Sequence, residues 1–577
     1  MKKLFFLASA LLCGVISASA VDYLVQTGKE GDAAWTDAAI NTLKTNGSPN
    51  VKVISFDTAG VAKLPTTGTI WFAKGTYNFT ESYEMKEGAK LIGGFAGTET
   101  SVGARKTQNG KPYDFVNATI LNVEQPKEGV IRLFKTDAVK SIDLNGLTIQ
   151  NSKHTKSGGV YKVHATNNIK YCTFKNNSTT GDGGAILVYN SNATIEGCLF
   201  EGNKATNGGA IRIGGTTTGL TATIKDCDFK NNEATDASNG GGAISKVQDI
   251  TLKANGCTFD GNKAIKGGAL LINTTKDAFV KNCNFANNVA TASGGALYLV
   301  GTDTIIIDAC KMFLNAAKQG SAIYDDASQV SVITNNVIYN NGADIEKSNF
   351  YPAVTYIKPL LFANNTICFN YGRVNVVSNV AKAVVANNIV WGNKVQANGS
   401  TDETPLFTSA SFNFAKITEG TGCTVSNNFT QNEIKQTNEN KIVINNNVAI
   451  VEANMGFEAP TDTFGVVPAE RTAKYEKVLN ANFALTSGSE FIDRGMDLAL
   501  VTTDILGTAR VAGKYDVGAY EFVGGGVGSA FENTEKAPLD IQAALQAGEV
   551  YNLLGQRVGE LQAGNIYIVG GQKVLMQ

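Results

Sequence analysis

Cys198-Leu-Phe-Glu-Gly-Asn-Lys-Ala-Thr-Asn-Gly-Gly-Ala-Ile211 is the stretch on which the fold turns. It has two parts: Cys-x-Phe-x-x-Asn, then Gly-Gly-Ala followed by an aliphatic residue. The first part returns at Cys172/Phe174/Asn177, Cys227/Phe229/Asn232, Cys257/Phe259/Asn262 and Cys283/Phe285/Asn288. Cys310/Met312/Asn315 puts Met in the aromatic slot. Asn then takes the Cys slot, at Asn336/Ile338/Asn341, Asn365/Ile367/Asn370 and Asn388/Val390/Asn393, and Leu147/Ile149 is a degenerate copy upstream. The second part begins at Gly183, Gly208, Gly241, Gly267 and Gly294, with variants at Gly158 and Gly320. The period is about 27 residues. Helical repeats need a 3.6-residue apolar period, and leucine-rich repeats need Leu every two or three residues. These units show short alternating pieces of Ile, Val, Phe and Thr broken by Gly and Asn. Three short strands per repeat form one coil of a parallel β-helix, each coil about 4.8 Å from the next.

Each slot then has a physical task. The Phe slot stacks inside the rod, ring on ring. The Asn after it is expected at a turn in the left-handed conformation, which Asn tolerates. The glycine pair frees a corner, and the Cys slot points inward. Where Asn replaces Cys, a ladder of interior amides is expected, because an unpaired buried amide costs a few kcal/mol.

Composition agrees. Of 577 residues, 61 are Gly, 57 are Asn and only 10 are Pro. Hydrophobic residues at 43% suffice for a core. The net charge of −1 offers no footprint for nucleic acid or an anionic membrane, and two His argue against a His-based metal site. Lys2 and Lys3, the apolar run Leu4 to Ile16 and Ala18-Ser19-Ala20 read as a secretory signal peptide over residues 1–20. That run is too short to span a membrane, and no later stretch is long enough. The expected order is signal peptide (1–20), N-terminal cap region (21–64), β-helix (65–522), Gly-rich linker (523–528) and a C-terminal domain (529–577).

The Gly-Gly-Ala-Ile and Phe-x-x-Asn combination resembles the repeats of polymorphic outer membrane proteins, which are β-helical surface adhesins. Ile70 to Tyr77, Gly93 to Thr100 with Arg105, and Ala118 to Leu121 resemble the opening of secreted right-handed β-helix proteins of Bacteroidetes type. Phe483-Ala484-Leu485, Ile492-Asp493-Arg494-Gly495 and Asp516 to Glu521 resemble their closing segment. An open end needs a cover, in which Asp493, Arg494, Asp504, Arg510 and Asp516 either pair or stand as scattered surface charge. The tail, Val550 to Val558 and Gly564 to Leu575, resembles the C-terminal sorting signal of type IX secretion substrates. The resemblance implies an all-β, right-handed, pectin-lyase-like solenoid with a small β-sandwich-like sorting domain. It implies export to the cell surface or medium with the type IX machinery as partner. That fold hosts lyases, hydrolases and adhesins, so it does not choose an activity.

A catalytic site on this fold would need charges clustered on the outward rows. After the glycine corner the outward row is Lys162, Leu187, Arg212, Ser245, Leu271, Tyr298 and Tyr324. On the Cys-x-Phe strand it is Thr173, Leu199, Asp228, Thr258, Asn284 and Lys311, with Asp228 alone in charge sign. Asp325-Asp326 is the best carboxylate pair, and His154 and His164 lie near one early coil. A glycosidase needs two carboxylates about 5–9.5 Å apart, and the rows offer isolated charges instead. The residues therefore favour an adhesive or glycan-binding role, for a glycan or another host or cell-surface ligand. Arg212, Tyr298 and Tyr324 are the candidate contacts, with no catalytic residue, metal or cofactor expected. The alternative is a polysaccharide lyase or glycoside hydrolase acting from the loops between residues 394 and 480.

Overall fold

The computed structural model describes residues 21–29, 31–56, 64–126, 130–135, 142–163, 167–236, 240–326, 331–342, 353–376, 383–396, 407–409, 412–413, 423–431, 434, 443–450, 456–461, 473–523, 550–551, 566–569 and 572–575. The chain folds as a right-handed parallel β-helix. A first sheet of 16 strands starts with Lys52–Ser55, Tyr23–Gln26 and Thr69–Ala73 and ends with Val443–Asn445. A second, of 14 strands, runs from Gly75–Phe79 to Val448–Ala449. A third, of 16 strands, holds the pieces on either side of the glycine corner; the strand Ala316–Asp325 passes through both. Fourteen strands at about 4.8 Å give a rod roughly 60 Å long.

The register puts motif slot on motif slot. Phe174, Phe200, Phe229, Phe259 and Phe285 pair in succession, then Met312, Ile338, Ile367 and Val390. Their rings stack at 4.8–4.9 Å with interplanar angles of 3–6°. Between 394 and 480, Thr424–Ser426 with Phe429–Thr430, and Val443–Asn445 with Val448–Ala449, add two further coils.

The amide ladders correct one expectation. The motif Asn is not the left-handed residue. Positive φ falls on the residue before it, Asn176, Asn231, Asn287 and Asn340 among them, with Gly202 and Gly261 in the same place. The motif Asn itself is fully buried. In each coil its Oδ1 accepts the backbone N–H and the Nδ2–H of the preceding coil's Asn, as at Asn232 to Asn262 (3.0 and 2.9 Å), and its Nδ2 donates onward to the next. One such ladder runs from Asn177 to Asn393. The expected second ladder, in the Cys slot, runs Asn336, Asn365, Asn388, Asn428 and Asn447. Cys310 meets it through its backbone N–H, which donates to Asn336 Oδ1 at 2.9 Å. The eight cysteines among the described residues are buried and free. Several thiols donate to the carbonyl two residues back, as Cys283 Sγ does to Lys281 O at 3.1 Å. Burial pushes the Cys257 and Cys283 thiols well above the usual range.

The rod is covered in places. Asp37–Thr45 is a helix, capped by the Thr36 side chain, whose Leu43 joins Leu24, Trp35 and Trp71 on the outer face of the first sheet. Residues 96–118 form a strap over the second sheet. Arg105 anchors it, donating to Gly93 O (2.6 Å) and Asn145 Oδ1 (2.8 Å) with its guanidinium over Phe115. The strap's far end reaches Asp228, which accepts from Lys111 Nζ (2.8 Å) and from the Tyr113 hydroxyl. Asp228 is thus neither alone nor exposed, as the strand pattern implied. Near the other end, residues 482–522 lie along the last coils. Phe483, Phe491 and Val517 cover the second sheet, and Leu498, Val501 and Tyr515 the first. Buried there, Arg510 pairs with Glu521 rather than with an aspartate, while Asp516 and Asp504 accept backbone N–H groups. Arg494 sits over the Phe429 ring. The tail strands Val550–Tyr551, Ile566–Val569 and Gln572–Leu575 form an antiparallel sheet.

Candidate functional site: a cationic groove on the third sheet

The outward row after the glycine corner is continuous in the structure: Lys162, Leu187, Arg212, Ser245, Leu271, Tyr298 and Tyr324 pair in register. Its middle is closed, because Ser245 and Leu271 are buried. The three candidate residues therefore fall into two groups. Tyr298 and Tyr324 stack at 5.2 Å and 6°, with Lys266 Nζ 5.4 Å from the Tyr298 ring. Arg212 lies three coils from Tyr298, about 14 Å along the rod, and belongs to a different feature.

That feature is a groove of about 720 Å³. Its wall holds five cationic side chains, Arg132, Lys135, Lys156, Lys162 and Arg212, and one carboxylate, Asp182. Two origins meet here. The strand row supplies Lys162 and Arg212 at a fixed coil spacing. Arg132 and Lys135 come from the irregular stretch before the first full repeat. Arg132 Nη2 donates to Ser157 O (2.7 Å) and to His154 Nδ1 (2.8 Å), which fixes the loop carrying Lys156. Arg212 Nη1 donates to Ser245 Oγ at 2.6 Å, which ties its guanidinium to the next coil. Burial draws Arg212 down from its ordinary range, while the nearby Asp182 and Asp236 oppose this; an arginine stays charged at neutral pH regardless. Asp182 accepts from Asn207 Nδ2 at 2.7 Å. Tyr189, on the next outward position of the strand Ile186–Tyr189, is 40% exposed in the groove, and Lys162 Nζ lies 5.2 Å from its ring.

Sequence reasoning found Lys162 and Arg212 but read them as isolated. It missed Arg132, Lys135 and Lys156, which no repeat period marks, and Tyr189, which lies one outward position beyond the row that follows the glycine corner. His154 works as an acceptor for Arg132, and His164 lies outside the described residues. Asp325 and Asp326 do not form a carboxylate pair. Asp325 is buried against the Ser331 hydroxyl, and Asp326 faces the other way onto Lys358. Among the described residues no group of three or more His, Cys, Asp or Glu side chains is placed to hold a metal ion. No helix among them is long and apolar enough to cross a membrane.

On the first sheet several outward charges are paired, as in Lys170–Glu196 (2.7 Å) and Lys281–Asp308 (3.7 Å), while Lys253 stands exposed on the same face. A smaller cleft of about 320 Å³ beneath the strap holds Lys175 and Glu201, paired at 2.8 Å.

Comparison with known proteins bears on the fold. Residues 106–285 match the right-handed β-helix region family. Residues 282–299 match the Chlamydia polymorphic membrane protein repeat. The chain is 22% identical over 356 residues to a metabotropic glutamate receptor-like protein R of Dictyostelium discoideum, covering 56% of this chain and 21% of that protein. It is 31% identical over 166 residues to a probable autotransporter, YfaL, of Escherichia coli (strain K12), covering 25% of this chain and 13% of that protein. The chain thus spans about a fifth or less of the length of these relatives. Among solved structures, pectate lyase Pel9A aligns over 88% of this chain and 98% of its own, at 14% identity and a TM-score of 0.21, a likeness too loose to carry an argument.

Proposed function

We propose that this protein is a cell-surface β-helix that binds a glycan along its third-sheet face, with the cationic groove as the principal contact. The observation that carries the reading is the make-up of the groove: five cationic side chains and one carboxylate line it, beside an exposed tyrosine. Aromatic faces suit sugar rings, and an extended rod sums many weak contacts. The stacked Tyr298 and Tyr324 are a second contact on the same face, three coils further on.

The polymorphic membrane protein repeat and the similarity to a probable autotransporter support a surface location. On this reading residues 1–20 direct export across the inner membrane, residues 21–64 cap the rod, and residues 523–528 link it to a type IX sorting domain at 529–577. The groove's single carboxylate, Asp182, favours binding over glycoside hydrolysis, which uses two.

A glycan array probed with the chain lacking residues 1–20 tests the reading. Binding that falls at least tenfold in Tyr189→Ala, with the thermal transition unchanged, is expected. A protein that binds no glycan, or whose binding ignores every groove substitution, would refute it.

A further inference from the structure

We infer that the ligand of this groove is an acidic glycan, a chain bearing carboxylates or sulfates at regular intervals, and that the coil spacing of the β-helix is its ruler. The inference rests on the glycan-binding reading above and goes further by fixing the ligand's charge. Three observations converge. The first is sign: five cationic side chains and one carboxylate line the groove in a chain whose net charge is −1, so the groove is locally positive on a nearly neutral molecule.

The second is spacing. Lys162 and Arg212 stand in the same outward row, separated only by Leu187, so their backbone positions are two coils, about 9.6 Å, apart along the rod axis. One coil is comparable to the advance of one sugar residue in an extended polysaccharide. A chain laid parallel to the axis would therefore present every second acidic group to one member of this pair. Arg132, Lys135 and Lys156 line the same groove and would meet further acidic groups of that chain.

The third is preorganisation. Arg212 is held by Ser245, and Arg132 by Ser157 and His154, so two of the cations need little ordering on binding. Guanidinium groups suit planar carboxylates and sulfates as charged hydrogen-bond donors. Tyr189 adds an aromatic ring to the same lining. Nucleic acid is also a regular polyanion, but binding a single strand uses a succession of aromatic platforms; this groove has one, and its charge is confined to a few coils.

The test is titration of the chain without residues 1–20 with four probes at two salt concentrations: polygalacturonate, heparin, neutral dextran and single-stranded oligodeoxythymidine. Expected are binding to polygalacturonate or heparin but not to dextran, and at least a tenfold loss between 50 and 300 mM NaCl, because screening weakens exposed ion pairs. Lys162→Glu with Arg212→Glu should abolish that binding, while the conservative Lys162→Arg retains it. Selectivity between the first two probes separates a carboxylate ligand from a sulfate ligand. Equal or tighter binding of dextran, insensitive to salt, would overturn the acidic assignment and leave the glycan-binding reading standing. Preferred binding of the oligonucleotide would overturn the inference in favour of nucleic acid. Failure of every glycan, on the array and here, would remove both.

Discussion

Gly183 and Gly184 sit side by side and are needed for different reasons. Gly183 has φ +71°, and a Cβ there would stand 2.2 Å from the carbonyl of Ile186 in its own coil. Gly184 has ordinary φ, but a Cβ would stand 2.0 Å from Gly209 O in the next coil. The same approach, 2.0–2.1 Å, recurs at Gly209, Gly242, Gly268 and Gly295. The Gly-Gly pair was legible in the sequence; the second reason was not, since it depends on a neighbour some 25 residues away. Gly184→Ala is expected to cost about 3 kcal/mol, whereas Gly103→Ala, with open space at its Cβ, stays within about 0.5 kcal/mol. Urea unfolding of the two variants checks this. Lys246 was invisible to the repeat pattern. It stands between Ile213 and Ile272 in the interior row, with Nζ donating to Gln248 O at 2.7 Å. Burial draws it down to about 7, against attraction from Asp249, Asp303 and Asp277. The native lysine then sheds its proton above about pH 7, while the unfolded chain keeps it to about pH 10.4. The unfolded state binds more protons in that window, so this group makes stability rise with pH there. Lys246→Ile should raise the thermal midpoint more at pH 6 than at pH 10, measured by calorimetry; an equal gain at both would contradict the shift.

The ladder is the structural element that the repeat builds. Removing one Asn breaks several bonds at once. Without the Asn262 side chain, the backbone N–H and one Nδ2–H of Asn232 and the carbonyl of Phe229 lose partners inside the rod. Asn262→Leu is expected to destabilise by about 3 kcal/mol, and hydrogen exchange should locate the opening at the adjacent coils. Sequence reading recovered this element because a period repeats whatever stacks: Phe on Phe, Asn on Asn, Gly on Gly. It misplaced the left-handed residue by one position, because Asn-Asn pairs such as Asn176-Asn177 and Asn231-Asn232 offer two candidates of identical chemistry. It could not see the strap, whose Lys111 meets Asp228 across 117 positions of sequence, or the groove wall at Arg132 and Lys135. These segments occur once, so no repetition announces them.

At the scale of the whole molecule, a rod roughly 60 Å long divides its surface between upkeep and contact. The helix, strap and closing segment cover apolar parts of the first and second sheets, and the third-sheet groove presents five cationic side chains and one carboxylate. Deleting residues 529–577 should leave the rod folded but retained in the periplasm; surface display unchanged by the deletion would end the sorting assignment. The central claim is that ligand meets the third-sheet groove. Covalent footprinting of lysines and tyrosines, with and without saturating polygalacturonate or heparin, tests it most directly. The account predicts protection of Lys135, Lys156, Lys162 and Tyr189 and unchanged labelling of Lys253 and Lys281 on the first sheet; protection of the first-sheet lysines with the groove still labelled would contradict it.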